Sequence, residues 1–371
     1  MCLRALRVCA DPEVLSTVTK TQIPQENPPA DAASGAVATL FPGYFALVMA
    51  TGIVSIAAGQ QDLEWLAKGL YIVAAVGYVV LVILTVMRIA VYWGPFTADL
   101  TSHAKGFAFL TIVAGTNVLG SASGIVYGWW TLAWTLWWFS IAAWAVLMYS
   151  TVIAVIMRSP KPDMGAGING TWFLIIVSTQ SIAVLGALLL TRHPSDILAF
   201  LLVAAFLLGI VLYLIVMTLV FLRWAFFELK PSDATPPAWI AAGAVAITVL
   251  AGSNLLGARD VSPRLAYLSP ALEAFVMLAW ATATFWFPVM VAMGIWRHIV
   301  NRIPITYNPA YWALVFPIGM YGASTFKMLG VTGLDSLQWL PQATLIAALV
   351  AWAATFFGLA HLGLRTVTKR S

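Results

Sequence analysis

The sequence predicts an all-α membrane protein of ten transmembrane helices, arranged as five like-oriented helical hairpins in a quasi-fivefold ring around a central pore. Three observations carry this expectation. The 371 residues are 61% hydrophobic and only 9% charged, against about 25% charged in an ordinary soluble domain, and the mean hydropathy is +0.92. Ten apolar runs are each long enough to cross a hydrocarbon core about 30 Å thick. The runs also alternate in character, with small and hydroxylated residues recurring in the odd-numbered ones. In lipid each span must satisfy its own backbone hydrogen bonds, which leaves helices or a closed barrel. Runs this long, without ten-residue alternation, are helices.

Each helix has its own signature. The first, 37–59, opens at Tyr44 and runs into Thr51, Gly52 and Ser55. The second, 66–92, is rich in Leu and Val and closes near Arg88. The third, 106–124, opens at Phe107 and carries Thr116, Asn117 and Ser121, and the fourth, 129–157, is rich in Trp and is followed by Arg158. The fifth, 169–191, opens at Trp172 and carries Ser178, Thr179 and Ser181, while the sixth, 196–227, closes near Arg223. The seventh, 237–257, follows Pro236-Pro237 and carries Thr248, Gly252 and Ser253. The eighth, 269–299, starts at Ser269-Pro270, with Glu273 in its first turn, where a carboxylate suits the positive helix end. The ninth, 309–329, follows Asn308-Pro309 and carries Gly319, Gly322 and Ser324. The tenth, 341–365, closes at Arg365. These helices form one transporter or channel domain over 37–365, between a disordered tail, 1–36, without a signal-peptide apolar region, and a short tail, 366–371.

Basic residues orient the spans. The two tails and the stretches after each even helix hold 14 of the 19 lysines and arginines, which places both termini in the cytoplasm of a multi-pass protein of the plasma or bacterial inner membrane. The net charge of +5 is spread singly at helix ends and reads as topology signal beside anionic lipid, not as a nucleic-acid surface. Every hairpin then leaves the cytoplasm on an odd helix and returns on an even one. Five units of one orientation are related by rotation about the membrane normal, which makes a ring. The apolar even helices suit the outer layer. The hydroxyl- and glycine-bearing faces suit the inner one, so the expected lining is Thr51, Ser55, Thr116, Asn117, Ser121, Ser178, Thr179, Thr248, Ser253 and Ser324. Small residues also let helices pack closely in lipid; recurrence in all five odd helices favours the pore.

The stretches FPGYFALVMATGIVSIA (Phe41 to Ala57) and NPAYWALVFPIGMYGASTFKM (Asn308 to Met328) resemble the first and ninth helices of the tellurite-resistance/dicarboxylate transporter family. That family includes fungal malate permeases, sulfite pumps and plant slow anion channels. The resemblance covers about Leu40 to Arg365. It implies a bundle around a pore, usually a homotrimer, passing anions such as C4-dicarboxylates, sulfite, chloride or nitrate. It also implies that Phe316 matches the family's pore-blocking phenylalanine. The adjacent Pro317 removes a backbone bond and can tip the ring inward, and an apolar constriction closes a pore by excluding water.

Lys327, near the outer end of the ninth helix, reads either as a cation that concentrates anions at the outer mouth, with Arg259 on the same side, or as a snorkelling side chain. No charged residue stands in the middle of any odd helix, which favours weak multi-site binding and channel-like flow. Enzymatic signals are poor. His103, His193, His298 and His361 form no HExxH, a P-loop is missing, and Cys2 and Cys9 show no CxxC spacing. The expectation is therefore no enzyme, no cofactor and no metal, and a small anion and the bilayer as partners. Sulfite or tellurite efflux is the alternative within transport; a scaffold or enzyme without flux is the alternative outside it.

Overall fold

A computed structural model describes residues 32–231 and 233–368. The described residues contain helices and turns and no strand. The ten helices long and apolar enough to cross a membrane are α1 (Pro42–Gly59), α2 (Glu64–Val91), α3 (Gly106–Tyr127), α4 (Trp130–Met157), α5 (Gly170–Leu190), α6 (Asp196–Phe226), α7 (Pro236–Gly257), α8 (Pro263–Val300), α9 (Pro309–Thr332) and α10 (Trp339–Thr368). The expected tail over 1–36 lies outside the described residues except near its end, where Ala32–Ala38 is a short helix. At the other terminus α10 continues past 365 to Thr368.

One predicted boundary is corrected. Helix α8 begins at Pro263, not at Ser269-Pro270, so Pro270 and Glu273 lie inside it. Two Ser-Pro pairs compete for the start, and the earlier one wins. Pro263 takes the first helical position, where its missing N–H costs nothing, and Ser262 Oγ donates to Asp196 Oδ1 at 2.8 Å. At Pro270 one backbone bond is lost within a 38-residue helix, too little to end it. The other two proline starts hold: α7 opens at Pro236 and α9 at Pro309, with Asn308 Oδ1 accepting from Ala310 N at 2.9 Å.

The helices sort into two layers. In the most apolar stretch of the odd helices 67–94% of residues are buried, against 17–39% in the even ones. Large side chains such as Trp138, Phe285 and Phe357 stay exposed on the even helices, where lipid is their solvent. Contacts among the inner helices run in a cycle: α1 with α3, α3 with α5, α5 with α7, α7 with α9, and α9 with α1. Every outer helix packs on the inner helix before it and on the one after it, and α10 in this way meets α1.

Small residues make the inner contacts close, as expected where no hydrophobic force draws helices together in lipid. A Cβ at Gly52 of α1 would stand 2.7 Å from a Val118 methyl of α3, and one at Gly243 of α7 would stand 2.8 Å from Pro317 Cγ of α9.

Where the chain leaves α2, a short helix, Trp93–Leu100, is fastened by charge. Arg88, 2% exposed, donates to Leu40 O at 2.8 Å and to Asp99 Oδ2 at 2.7 Å, while Lys105 Nζ lies 2.9 Å from Asp99 Oδ1. Burial pushes the Asp99 carboxyl up, but the hydrogen bonds and charges of Arg88 and Lys105 outweigh it and hold the group below the usual carboxylate range.

Candidate functional site at the inner-helix amino ends

Each inner helix starts with a tight 3-10 turn before it relaxes into α geometry: Pro42–Phe45, Gly106–Leu110, Gly170–Phe173, Pro236–Trp239 and Pro309–Tyr311. Proline or glycine opens every one. Side-chain caps are used where the turn meets a polar loop, as when Asn169 Oδ1 accepts from Thr171 N at 2.8 Å. The five turns touch one another in the same cyclic order as the helices, so five helix amino ends stand together. Each carries the partial positive charge of its unsatisfied N–H groups.

Two cavities at this end draw their walls from three or more of the five turns. The wider, about 550 Å³, is lined in part by Asn169, Arg223, Asp233, Arg297, Asn308 and Tyr311. It has two guanidinium groups against one carboxylate. Arg223 Nε donates to Gly165 O at 2.9 Å, with its Nη2 3.7 Å from Asp233 Oδ2. Arg297 Nη1 donates to Pro231 O at 2.8 Å and Ala234 O at 3.2 Å. Both arginines thus fasten loops and lend positive charge to the chamber. Near its wall, burial first, and then the charges of Arg158 and Lys161, hold the His103 imidazole below its ordinary value.

The second cavity, about 20 Å³, has room for about one water. It shares Phe41, Thr171, Pro237 and Ala310 with the first. All five inner helices contribute to its wall, through Met49, Thr111, Leu174, Ile240 and Ala313 among others, and Phe316 belongs to it. Phe316 is 1% exposed. The chamber thus adjoins a small apolar throat with Phe316 among its wall residues.

The structure gives several of the hydroxyls expected in the lining a partner on a neighbouring helix. Thr51 Oγ1 accepts from Trp352 Nε1 of α10 at 2.9 Å, Thr116 Oγ1 is bonded to Tyr78 OH of α2 at 2.9 Å, and Thr179 Oγ1 accepts from Trp144 Nε1 of α4 at 3.1 Å. Ser55 Oγ donates to Ala67 O of α2 at 2.6 Å, and Asn117 donates to Ser181 and accepts from Ser140 of α4. These groups are turned to neighbouring helices, because a membrane helix with apolar neighbours uses its hydroxyls to hold them. Thr248 lines a cavity between α6, α7 and α8. Ser121, Ser178 and Ser324 return their hydroxyls to carbonyls of their own helices, while Ser253 Oγ is buried without a hydrogen-bond partner.

Pro317 packs on Gly243, immediately beside Phe316. Lys327 Nζ lies close to Gly257, at the carboxyl end of α7, where carbonyls favour a cation. Arg259 is exposed in the turn Arg259–Val261, next to Asp260. Sequence reasoning missed the throat residues Met49, Thr111, Leu174, Ile240 and Ala313, and the chamber's Arg223 and Arg297. The signal for the throat lies in the aromatic helix starts themselves, about two to four turns before the hydroxyls. In sequence, Arg223 and Arg297 stand at the ends of even helices and look like orientation markers.

The model of the SLAC1 family, described as voltage-dependent anion channel, matches residues 39–360. An uncharacterised membrane protein of Mycobacterium tuberculosis is 35% identical over 150 residues, covering 40% of this chain and 76% of that protein. An uncharacterised transporter of Methanocaldococcus jannaschii is 24% identical over 296 residues, covering 76% and 82%. A sulfite efflux pump of Trichophyton rubrum is 25% identical over 327 residues, covering 79% and 82%.

Proposed function

We propose, since this chain belongs to the voltage-dependent anion channel (SLAC1) family, that it moves small anions along the axis of its five inner helices, with Phe316 as the gate. The observation that carries this reading is the throat, to which the first turns of all five inner helices contribute and in which Phe316 sits buried. Parallel helix amino ends and a net positive chamber draw an anion in. An apolar collar with room for one water then dewets and stops it until the ring moves. In this reading the five hairpins form a quasi-fivefold ring, Pro317 holds the ring of Phe316 in position, and both termini lie in the cytoplasm of a cell-membrane homotrimer. Lys327 and Arg259 lend charge to the far mouth.

Among anions, sulfite has a specific observation in its favour, because a relative aligned over most of both chains is named a sulfite efflux pump. C4-dicarboxylates such as malate, nitrate and chloride complete the panel. Purified protein in liposomes is to be assayed with each. Phe316→Ala raises the flux of the preferred anion about tenfold, the equivalent of removing about 1.4 kcal/mol of barrier. Well-folded Phe316→Ala protein with wild-type flux removes the gate; no flux of any anion from either protein removes the transport reading.

A further inference from the structure

The tryptophans of α4 form a stripe. Trp130, Trp134, Trp137, Ile141 and Trp144 follow one another at intervals of four, three, four and three residues, which keeps them on one helix face. From Trp134 onward the stripe is one wall of a groove of about 770 Å³, and α6 is the other wall from Ser195 to Leu208. Thr179 and Ile182 of α5 line it between the two. Trp137 Nε1 donates to Ile182 O at 3.0 Å and Trp144 Nε1 to Thr179 Oγ1, so the polar edges of both indoles are spent on α5. Trp138 and Leu201, on opposite walls, are 60% and 56% exposed. The groove therefore opens on the lipid-facing surface.

One end of the groove is basic. The turn between α5 and α6 lies against the head of the tryptophan stripe. The Arg192 guanidinium carbon is 4.5 Å from the centre of the Trp130 ring, and the His193 ring, which lines the groove, is 5.4 Å from that of Trp134. Both residues are exposed. Neither side chain is hydrogen-bonded or ion-paired within the described residues, and the nearby Asp196 carboxylate accepts from Ser262. From Ser195 to Leu208 the α6 wall rises about 20 Å, somewhat more than half of a hydrocarbon core of about 30 Å. The groove is thus one leaflet deep, apolar along its length and cationic where it meets water. An exposed guanidinium alone holds a free anion weakly in salt solution. An anion carrying an apolar chain gains the groove as well.

We propose that the groove between α4 and α6 binds one anionic phospholipid, its phosphate against Arg192 and His193 and an acyl chain along the tryptophan stripe. The chain asks for no hydrogen bond, and the aromatic wall offers it a large contact area. The charged head stays at the interface, where basic side chains draw anionic lipid. The site is independent of the anion-transport reading, and its test measures no flux.

The test uses phosphatidylglycerol with a diazirine in its acyl chain, at trace level in phosphatidylcholine liposomes that hold the full chain, with adducts mapped by peptide mass spectrometry. Adducts concentrate on the peptides holding Trp134 to Trp144 and Ile197 to Leu208, and unlabelled phosphatidylglycerol competes them away. Arg192→Gln lowers this labelling about fivefold, the worth of one basic residue beside an anionic headgroup. Ala205→Phe, which sets a ring in the groove, lowers it at least as far. Phosphatidylcholine with the same diazirine labels these peptides no more than other lipid-facing helices. Equal labelling by the two lipids, undiminished labelling in either variant, or protection of both peptides from both probes, as when a second copy covers the groove, overturns the site.

Discussion

Trp352, in the last membrane helix, donates its indole N–H to the hydroxyl of Thr51, in the first, at 2.9 Å. The bond joins residues 301 positions apart and fastens α10 to α1 as Tyr78 fastens α2 to α3. Thr51→Val and Trp352→Phe each lower stability by about 1 kcal/mol. The double variant falls short of additivity by about 0.6 kcal/mol, the usual coupling of such bonds within membranes. Denaturant titration of the four proteins in detergent measures this, and strict additivity would show that the bond contributes nothing.

Gly243 and Pro317 bring α7 and α9 as close as backbone allows. With only 2.8 Å between a new Cβ and the proline ring, Gly243→Ala forces the helices apart and costs about 1–3 kcal/mol. Because Pro317 adjoins Phe316, the same substitution displaces the throat ring and raises resting anion flux. Thermal unfolding and liposome flux are to be read together; a wild-type melting temperature contradicts the packing.

Asp99 stabilises the end of α2 in a pH-dependent way. Its folded-state carboxyl titrates below its ordinary value, so its contribution is full above about pH 4 and is lost as pH falls through the lowered value. Asp99→Asn removes the contribution at every pH and leaves the buried Arg88 charge short of its carboxylate, at a cost of about 3 kcal/mol. The gap in stability between the two proteins is constant from pH 5 to 8 and narrows in stronger acid. A gap that widens in acid would reverse the sign of the linkage.

Arg297 has two tasks in the chamber, one electrostatic and one mechanical. Arg297→Lys keeps the charge but loses the forked contact to the Pro231 and Ala234 carbonyls, whereas Arg297→Gln loses both. At low ionic strength, Arg297→Gln lowers flux about threefold relative to Arg297→Lys, and the difference disappears near 1 M salt. A difference that persists near 1 M salt would remove the electrostatic task, because screening abolishes that contribution.

The ten helices were legible because apolar length is counted directly from sequence; eight of their starts fell within two residues of the prediction and the first within five. The eighth failed because Ser262-Pro263 and Ser269-Pro270 send the same signal and only packing chooses between them. Family membership was legible from the aromatic start and F-P step of the ninth helix. The wall of the site was not. Hydroxyls such as Thr116 and Thr179 recur at helical spacing whether they face an axis or a neighbour. What separates the two is the aromatic partner on another helix, and that partner is distant in sequence. The throat itself is apolar, and Met49, Leu174 and Ile240 look in sequence like any other membrane residues.

The meeting of α10 with α1 means that the contacts between layers continue across the two ends of the helical domain. Every outer helix has an inner neighbour on both sides, whichever hairpin comes first. A circularly permuted chain, cut between α2 and α3 and rejoined by a flexible linker from the close of α10 to the opening of α1, keeps every helix-to-helix contact. The seam between the first and last helices is one of five places where an outer helix meets the inner helix that follows it.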